Sequence, residues 1–244
     1  MIVIMPMAGV AKRFVEEGFI LPKPLVEINN KPMIEYVLSN FDGFDGIKFL
    51  PIVLKEHIDK FHIDSVLKQL IPETKLFGIH IRNSVSSGAA QTVLDAIRDM
   101  NVLGDEEIVV CNCDQFINWN IQDFILRKKQ EQACHWILTF RSVSPKWSYV
   151  RIKGGLVTEV AEKNPISNIA TVGIYFFNKC SDFIFAAEQM INKNIRVNGE
   201  FYVCPVFNEL VLRGDSVRIY DVEMFGMGTP EDLINNKENI KLNV

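Results

Sequence analysis

Residues 2–14 of this chain read IVIMPMAGVAKRF, and the fold prediction is built outward from them. The opening IVIM is a short continuous apolar run, typical of a central parallel strand that is buried on both faces. The residues after it are mostly small or basic and predict a loop. In open α/β sheets, loops at the carboxyl ends of the strands bind ligands, so this loop is the first candidate for a binding site.

Residues 1–115 alternate predicted strands with predicted helices. The strands are expected at 2–5, 49–54, 79–82 and 107–113, and the helical segments at 32–38, 57–70 and 88–100. This alternation predicts βαβ units and a parallel sheet. Right-handed crossovers would bring the loops that follow the strands to one common edge.

The second half has a different pattern. Short predicted strands at 135–140, 149–152, 156–160 and 172–177 are separated by turn signals and indicate an antiparallel part. A helix at 181–192, a last strand at 217–222 and a closing helix follow. The sequence therefore predicts a single α/β domain, residues 1–244, with a mixed, mostly parallel sheet flanked by helices and a smaller antiparallel part.

Composition excludes several classes of protein. The 26 basic and 30 acidic residues give a net charge of −4, so no diffuse positive field is available for nucleic acid or an anionic membrane. Any phosphate binding must be local. No apolar run approaches the roughly 20 residues that cross a bilayer, and no secretory leader is evident, which predicts a cytoplasmic protein. Five scattered cysteines predict reduced, buried thiols, since Cys111 and Cys113 have no second pair to complete a zinc site.

Two groups of residues could handle phosphate and metal. Small residues at 8–11 let backbone N–H groups approach phosphate oxygens, and Arg13 adds a guanidinium. Prolines on both sides of Lys23 stiffen the backbone that carries its ammonium. Asp114 follows a buried strand and suits Mg²⁺, which prefers few carboxylates plus substrate phosphates. Each fragment alone is equally compatible with an ordinary surface loop or turn.

Together, the loop that ends in Arg13 and the segment Pro22-Lys23-Pro24-Leu25 resemble the signature of the sugar-phosphate nucleotidylyltransferase family. That signature runs Gly-x-Gly-x-Arg and then Pro-Lys-x-Leu, and the resemblance extends through nearly the whole chain. It implies a Rossmann-like domain with an NTP-binding half at 1–130 and an acceptor-binding half at 131–244. It also implies a Mg²⁺ cofactor.

The resemblance implies roles for individual residues on both sides of the reaction. Arg13 would bind the β- and γ-phosphates, Lys23 the α-phosphoryl group and Asp114 the Mg²⁺ ion. The nucleotide would lie on Met7, Ala8, Gly9, Val10, Ala11, Ser87, Gly88 and Ala89. Lys163 would bind the phosphate of the acceptor, and the acceptor pocket would be formed by Trp147, Glu162, Gly173, Glu200 and Tyr202.

Three positions depart from the family pattern. Ala11 stands where the signature has its second glycine, and Ser148 replaces a glycine that lies against the sugar ring in many relatives. Gly226 stands where many relatives carry an aspartate as the second metal ligand. Asp221, Glu223 or water could take that place.

The implied reaction is attack of the acceptor's phosphate oxygen on the α-phosphorus of an NTP, with release of pyrophosphate. The resemblance favours CTP and a role in bacterial capsule or surface polysaccharide synthesis, since some such relatives are cytidylyltransferases for phosphorylated amino acids such as phosphoglutamine. The alternatives are a sugar-1-phosphate uridylyl- or thymidylyltransferase, a nucleotide-sugar-dependent glycosyltransferase and a non-catalytic nucleotide-binding protein. Neither nucleic acid nor membrane is expected as a partner, and the sequence leaves a homodimer open.

Overall fold

The computed structural model describes residues 1–241, and the last three residues of the predicted domain, 242–244, lie outside the described residues. The strands are β1 (Ile2–Pro6), β2 (Glu27–Ile28), β3 (Lys31–Pro32), β4 (Lys48–Leu54), β5 (His80–Arg82), β6 (Ile108–Cys111), β7 (Gln115–Asn118), β8 (His135–Arg141), β9 (Ser148–Lys153), β10 (Leu156–Glu162), β11 (Ile169–Phe177), β12 (Val217–Asp221) and β13 (Glu223–Gly226). The helices are α1 (Lys12–Glu16), α2 (Met33–Ser39), α3 (Lys55–Phe61), α4 (Ile63–Leu70), α5 (Ala89–Asp99), α6 (Ile121–Gln130), α7 (Cys180–Asn192), α8 (Val206–Arg213) and α9 (Pro230–Asn236). None of these helices is long and apolar enough to cross a membrane.

A nine-stranded mixed sheet forms the centre of the molecule. Its strands run in the order β10-β9-β11-β6-β1-β4-β5, and β8 and β12 continue it beside β11. Seven of the nine strands point in one direction, because only β10 and β11 run against their neighbours. The predicted α/β fold with a mixed, mostly parallel sheet is therefore confirmed.

The first strand is buried on both faces, as its apolar run predicts. Val3 and Met5 belong to the hydrophobic cluster on one side of the sheet. Ile2 and Ile4 belong to the cluster on the other side. Because successive side chains of a strand point to opposite faces, the continuous apolar run is what a strand between two core layers requires.

Several elements differ from the sequence prediction. The single helix expected at 57–70 is wrong, since His62 adopts a left-handed conformation, φ 53°, and separates α3 from α4. The strand β12 is not the last one, because β13 follows it. The elements β7, α6 and α8 were not predicted either. The strand β7 pairs with β13, more than 100 residues away, so no local pattern could have revealed the pair.

The pair of β7 and β13 positions the end of strand β6. Asn40 is buried and binds this pair, with its Nδ2 donating to the carbonyl of Gln115 at 2.9 Å and its Oδ1 accepting from the amide of Ile117 at 3.0 Å. The amide of Met227 donates to the carbonyl of Asp114 at 2.8 Å. The segment after β13 is thereby held against the residues that follow β6.

The cysteines are free thiols, as predicted. Four are buried, and Cys113 is partly buried beside Asp114. Burial raises the pKa of the Cys113 thiol to about 12. At neutral pH this cysteine is therefore a neutral side chain, unlike the thiolate that a metal site or a nucleophile requires.

Candidate active site

A cleft of about 310 Å³ brings residues from distant parts of the chain together. Arg13, Lys23, Asp114 and Lys163 all line it. The other predicted site residues along its wall are Ala89, Trp147, Glu162, Gly173 and Tyr202. Two larger clefts, of about 590 and 790 Å³, contain none of the residues predicted to bind nucleotide or acceptor, although Glu223, one of the alternatives for a second metal ligand, lines the first of them. The chemistry-bearing residues thus converge in the smallest of the three.

The charge of this cleft differs in sign from that of the chain. Its lining includes four basic side chains, those of Arg13, Lys23, Lys146 and Lys163. It includes three acidic ones, those of Asp114, Glu162 and Asp232. The local excess of positive charge in a chain of net charge −4 suits a site that must attract anions.

The loop between β1 and α1 offers free backbone donors. Among residues 1–241, the amides of residues 8–13 donate no hydrogen bond to any partner. Buried or half-buried amides are normally paired, so a run of free donors beside Arg13 is a ready site for phosphate oxygens. The amide of Met7 is different, since it donates to the carbonyl of Ile52 at 2.9 Å.

Ala11 adopts the conformation that the family signature assigns to a glycine. Its φ of 47° and ψ of 44° are left-handed, at the residue that precedes helix α1. A left-handed conformation costs a residue with a Cβ about 1–2 kcal/mol. The loop therefore has the shape that the signature requires, but with alanine in place of glycine it is less stable by about this amount. Met7 and Ala8 are buried, whereas Val10 is 62% exposed.

Lys23 and Asp114 form an ion pair on the floor of the cleft. The Lys23 Nζ donates to Asp114 Oδ2 at 2.5 Å and to the carbonyl of Gly228 at 3.0 Å. Burial alone lowers the pKa of Lys23, but the adjacent Asp114 carboxylate outweighs it and the pKa is raised. The ammonium therefore stays charged while it is largely hidden from water.

Asp114 meets the requirements of a Mg²⁺ ligand. Its Oδ1 is buried and has no hydrogen-bond partner among residues 1–241. An unpaired buried carboxylate oxygen is costly, and a cation would satisfy it. Residues 1–241 contain no cluster of three or more His, Cys, Asp or Glu side chains that could hold a metal ion. Mg²⁺ suits such a site because it binds one or two carboxylates and takes its other ligands from substrate phosphates and water.

The acceptor-binding half of the chain contributes paired polar groups to the cleft. The Nζ of Lys163 donates to the hydroxyl of Tyr202 and lies 4.4 Å from the centre of its ring. The hydroxyl of Ser148 donates to Glu162. Burial raises the pKa of Glu162, although the hydrogen bond from Ser148 and the charge of Lys163 act in the other direction. These groups offer a cation and hydrogen-bonding oxygens to an acceptor.

Of four aromatic residues in the acceptor-binding half, two line the cleft and two lie in the core. Trp147 and Tyr202 line the cleft. Tyr149 and Phe201 are at most 2% exposed and belong to the core. The hydroxyl of Tyr149 donates to the carbonyl of Ser144 at 2.6 Å. Only two of the four aromatics could therefore contact an acceptor.

The turn at 87–89 is joined to the acceptor half through the backbone. The amide of Phe201 donates to the carbonyl of Ser87 at 2.9 Å, and its carbonyl accepts from the amide of Ala90 at 3.0 Å. Gly88 lies between these bonds with φ +139°. Ser87 and Gly88 do not line the cleft, nor does Glu200, which is exposed on the turn at 197–200.

Two charged residues that line the cleft were not predicted from the sequence. Lys146 and Asp232 both line it, and the Lys146 Nζ lies 2.6 Å from Asp232 Oδ1. The only sequence signal for Asp232 was the Thr229-Pro230 start of the closing helix, which places it in the first turn. Asp221 and Glu223, the predicted alternatives for a second metal ligand, bind elsewhere: Asp221 accepts from Thr139 and Arg141, and Glu223 from Asn118.

Comparison with known proteins decides the family. A family model described as nucleotidyl transferase matches residues 3–218, which include the phosphate loop, Asp114 and Lys163. The chain belongs to the nucleotidyl transferase family. It is therefore a transferase enzyme, as predicted. No curated protein matches its sequence significantly.

Solved structures resemble this nucleotidyl transferase over nearly its full length. A nucleoside-diphosphate-sugar pyrophosphorylase from Vibrio cholerae RC9 shares 27% identity, covering 98% of this chain and 100% of that chain with a TM-score of 0.84. An inositol-1-phosphate CTP transferase from T. maritima is similar in fold at 14% identity, with coverage of 100% and 97% and a TM-score of 0.75. A UDP-glucose pyrophosphorylase from Acinetobacter baumanii, at 17% identity, has coverage of 99% and 96% and a TM-score of 0.72.

The family defines the reaction class, which is the transfer of a nucleotidyl group from an NTP. Where the acceptor carries its own phosphate, that phosphate is already a competent nucleophile at neutral pH. The protein's task is then to position two anions and neutralise their charge.

Proposed function

We propose that this enzyme couples CTP to a phosphorylated small metabolite and releases pyrophosphate, in the synthesis of a bacterial capsule or surface polysaccharide. The observation that carries the nucleotidyl-transfer part is the single cleft that contains Arg13, Lys23, Asp114 and Lys163. The preference for CTP and the capsule role are supported by resemblance alone. A sugar-1-phosphate uridylyl- or thymidylyltransferase is the alternative.

The donor side of the proposal uses the β1–α1 loop. The free amides of residues 8–13 and the Arg13 guanidinium would hold the β- and γ-phosphates. Lys23, which is charged and largely hidden from water, would neutralise the α-phosphoryl group as the acceptor attacks. Asp114 would hold a Mg²⁺ ion, whose role when bound is to neutralise phosphate charge. The turn at 87–89 would contact the base.

The acceptor side of the proposal uses Lys163, Glu162 and Trp147, which line the same cleft. Lys163 would bind the acceptor's phosphate in place of its present bond to Tyr202. Glu162 would accept a hydrogen bond from a hydroxyl or amino group of the acceptor, and Trp147 would pack against its body. Gly173 would shape the pocket floor, and Glu200 would approach from the turn at 197–200. Trp147 and Ser148 leave less room than a glycine at position 148 would, which favours an acceptor other than an ordinary hexose phosphate.

A matrix of substrates tests the function. Each of the four NTPs is mixed with sugar, polyol and amino-acid phosphates in the presence of Mg²⁺, and pyrophosphate release is measured. We expect release with CTP and a non-hexose acceptor. Release with UTP or dTTP and a hexose 1-phosphate would replace the proposal by its alternative. Transfer from a ready-made nucleotide sugar without pyrophosphate would contradict both.

Lys163→Met tests the division between donor and acceptor. Because the side chain of Lys163 contacts Tyr202 and no residue of the β1–α1 loop, we expect the KM for the acceptor to rise by about 10–100-fold, the loss typical of a charge-assisted contact of about 1.5–3 kcal/mol. The Kd of the NTP, measured by isothermal titration calorimetry, should stay near that of the unmodified enzyme. Lys193→Met is the matched control, since its ion pair with Glu209 lies outside the cleft. Equal losses for NTP and acceptor would contradict the assignment.

A further inference from the structure

Two carboxylates from separate elements face one point in the cleft. The position that a Cβ would occupy on Gly228 lies 3.3 Å from Asp114 Oδ2 and 3.5 Å from Asp232 Oδ2. Asp114 follows β6, and Asp232 lies in the first turn of α9. The Lys23 Nζ lies 3.9 Å from the same position, so an ammonium already stands beside the two carboxylates. Both residues line the cleft in which the nucleotide is proposed to bind.

Asp232 is not fully occupied by its neighbours. Its side chain is only 10% exposed. Lys146 donates to Oδ1, which leaves Oδ2 without a hydrogen-bond donor among residues 1–241. Asp114 differs in which oxygen is free, because its Oδ2, the oxygen near the shared point, accepts from Lys23, and its Oδ1 is buried and unpaired. A carboxylate oxygen without a donor, on a side chain that is largely buried, is stabilised by a cation placed next to it.

We propose that Asp232 supplies the second carboxylate of the Mg²⁺ site, together with Asp114. This inference rests on the proposed function, since the metal would enter with the nucleotide. Lys23 and Lys146 hold the two carboxylates in the free enzyme, and on binding they turn to the phosphates while the cation takes the carboxylates. The exchange keeps every charge paired in both states. Mg²⁺ retains several waters, so the two aspartates need not complete its shell.

The surroundings explain why position 226 does not carry this carboxylate. A Cβ on Gly226 would lie 3.2 Å from the Trp147 ring and 3.8 Å from the Asp232 carboxyl carbon. An aspartate there would meet both the indole and a second negative charge. The ring of Trp147 and the carboxylate of Asp232 thus occupy the space that a side chain at position 226 would need. The carboxylate reaches the cleft from α9 instead.

Metal binding can be measured without turnover by the electron paramagnetic resonance of Mn²⁺, which replaces Mg²⁺ in oxygen sites. Mn²⁺ is titrated into the full chain alone and with each of the four NTPs. We expect Asp232→Asn and Asp114→Asn each to weaken Mn²⁺ binding at least about tenfold, since loss even of an outer partner of a metal ligand costs 10–100-fold. Asp221 lies outside the cleft, so the Asp221→Asn variant is the control. It should bind Mn²⁺ as tightly as the unmodified protein does.

Lys146→Met separates metal binding from a purely structural role. If Asp232 serves only to hold Lys146, both substitutions will weaken Mn²⁺ binding equally, and the inference is wrong. If Asp232 is a ligand, removal of Lys146 will leave the binding of Mn²⁺ in the absence of NTP intact or tighten it, because a competing cation is gone. Thermal unfolding verifies that each variant is folded. The inference is also overturned if the Asp232→Asn variant binds Mn²⁺ as tightly as the unmodified protein, or if the unmodified protein binds no Mn²⁺. Failure of pyrophosphate release would count against the proposed function alone.

Discussion

Lys23→Met is expected to lower kcat by about 10²–10³-fold, the loss seen when one donor that stabilises developing charge is removed. The ammonium is aimed by two bonds, to Asp114 Oδ2 and to the carbonyl of Gly228, and little of it is exposed to water. Water could not replace it, because the group it is proposed to neutralise develops its charge inside the cleft. Methionine keeps the approximate length of the side chain and removes the charge together with the donors to Asp114 and Gly228. Steady-state pyrophosphate release with saturating NTP and acceptor measures the effect.

Lys12→Met is the matched control for this experiment. Lys12 belongs to the same loop region, but its side chain is 82% exposed and pairs only with Glu16 at 3.8 Å. An exposed pair of this kind contributes little, so kcat should change less than about twofold. If Lys12→Met and Lys23→Met reduce kcat alike, the general positive charge of the loop matters, and the specific role proposed for Lys23 is contradicted.

Gly88→Ala is expected to destabilise the protein by about 2–5 kcal/mol. The φ of +139° is accessible almost only to glycine, and a Cβ would lie 2.4 Å from both the amide nitrogen and the carbonyl oxygen of Phe201. The backbone at Phe201 must then shift and lose its bonds to Ser87 and Ala90. For a chain of this size, such a loss lowers Tm by roughly 5–15 °C. Differential scanning calorimetry measures it directly.

Gly154→Ala separates backbone strain from collision. Gly154 also has a positive φ, +60°, but no atom lies within 4 Å of the Cβ that alanine would add. Strain alone should cost about 1–2 kcal/mol there. A loss at Gly88 no greater than at Gly154 would mean that the segment around Phe201 moves freely. The coupling between the base-side turn and the acceptor half would then be absent.

The elements that the sequence predicted well are those whose signal is local. The strands at 2–6 and 48–54 are short apolar runs between polar loops, and burial on both faces produces such runs wherever they occur. Element ends were less accurate, since strand β6 stops at Cys111 and not at Cys113. Helix α3 ends where His62 turns left-handed, a backbone choice that no side-chain periodicity encodes.

Among the residues of the candidate site, some were predicted from sequence and others were found only in the tertiary structure. The roles of the phosphate loop, Lys23 and Asp114 stay predictions, and they came from local sequence together with the family resemblance. That Arg13, Lys23 and Asp114 line one cleft agrees with the rule that parallel strands bring their carboxyl ends to one edge. Only the tertiary structure decided that Asp232 faces Asp114 while Asp221 and Glu223 do not. That outcome depends on β13 pairing with β7 and on Trp147 filling the space beside Gly226. Contacts between residues so far apart in the chain leave no periodic trace in sequence, since each partner is compatible with many other neighbours until the sheet and the helices pack.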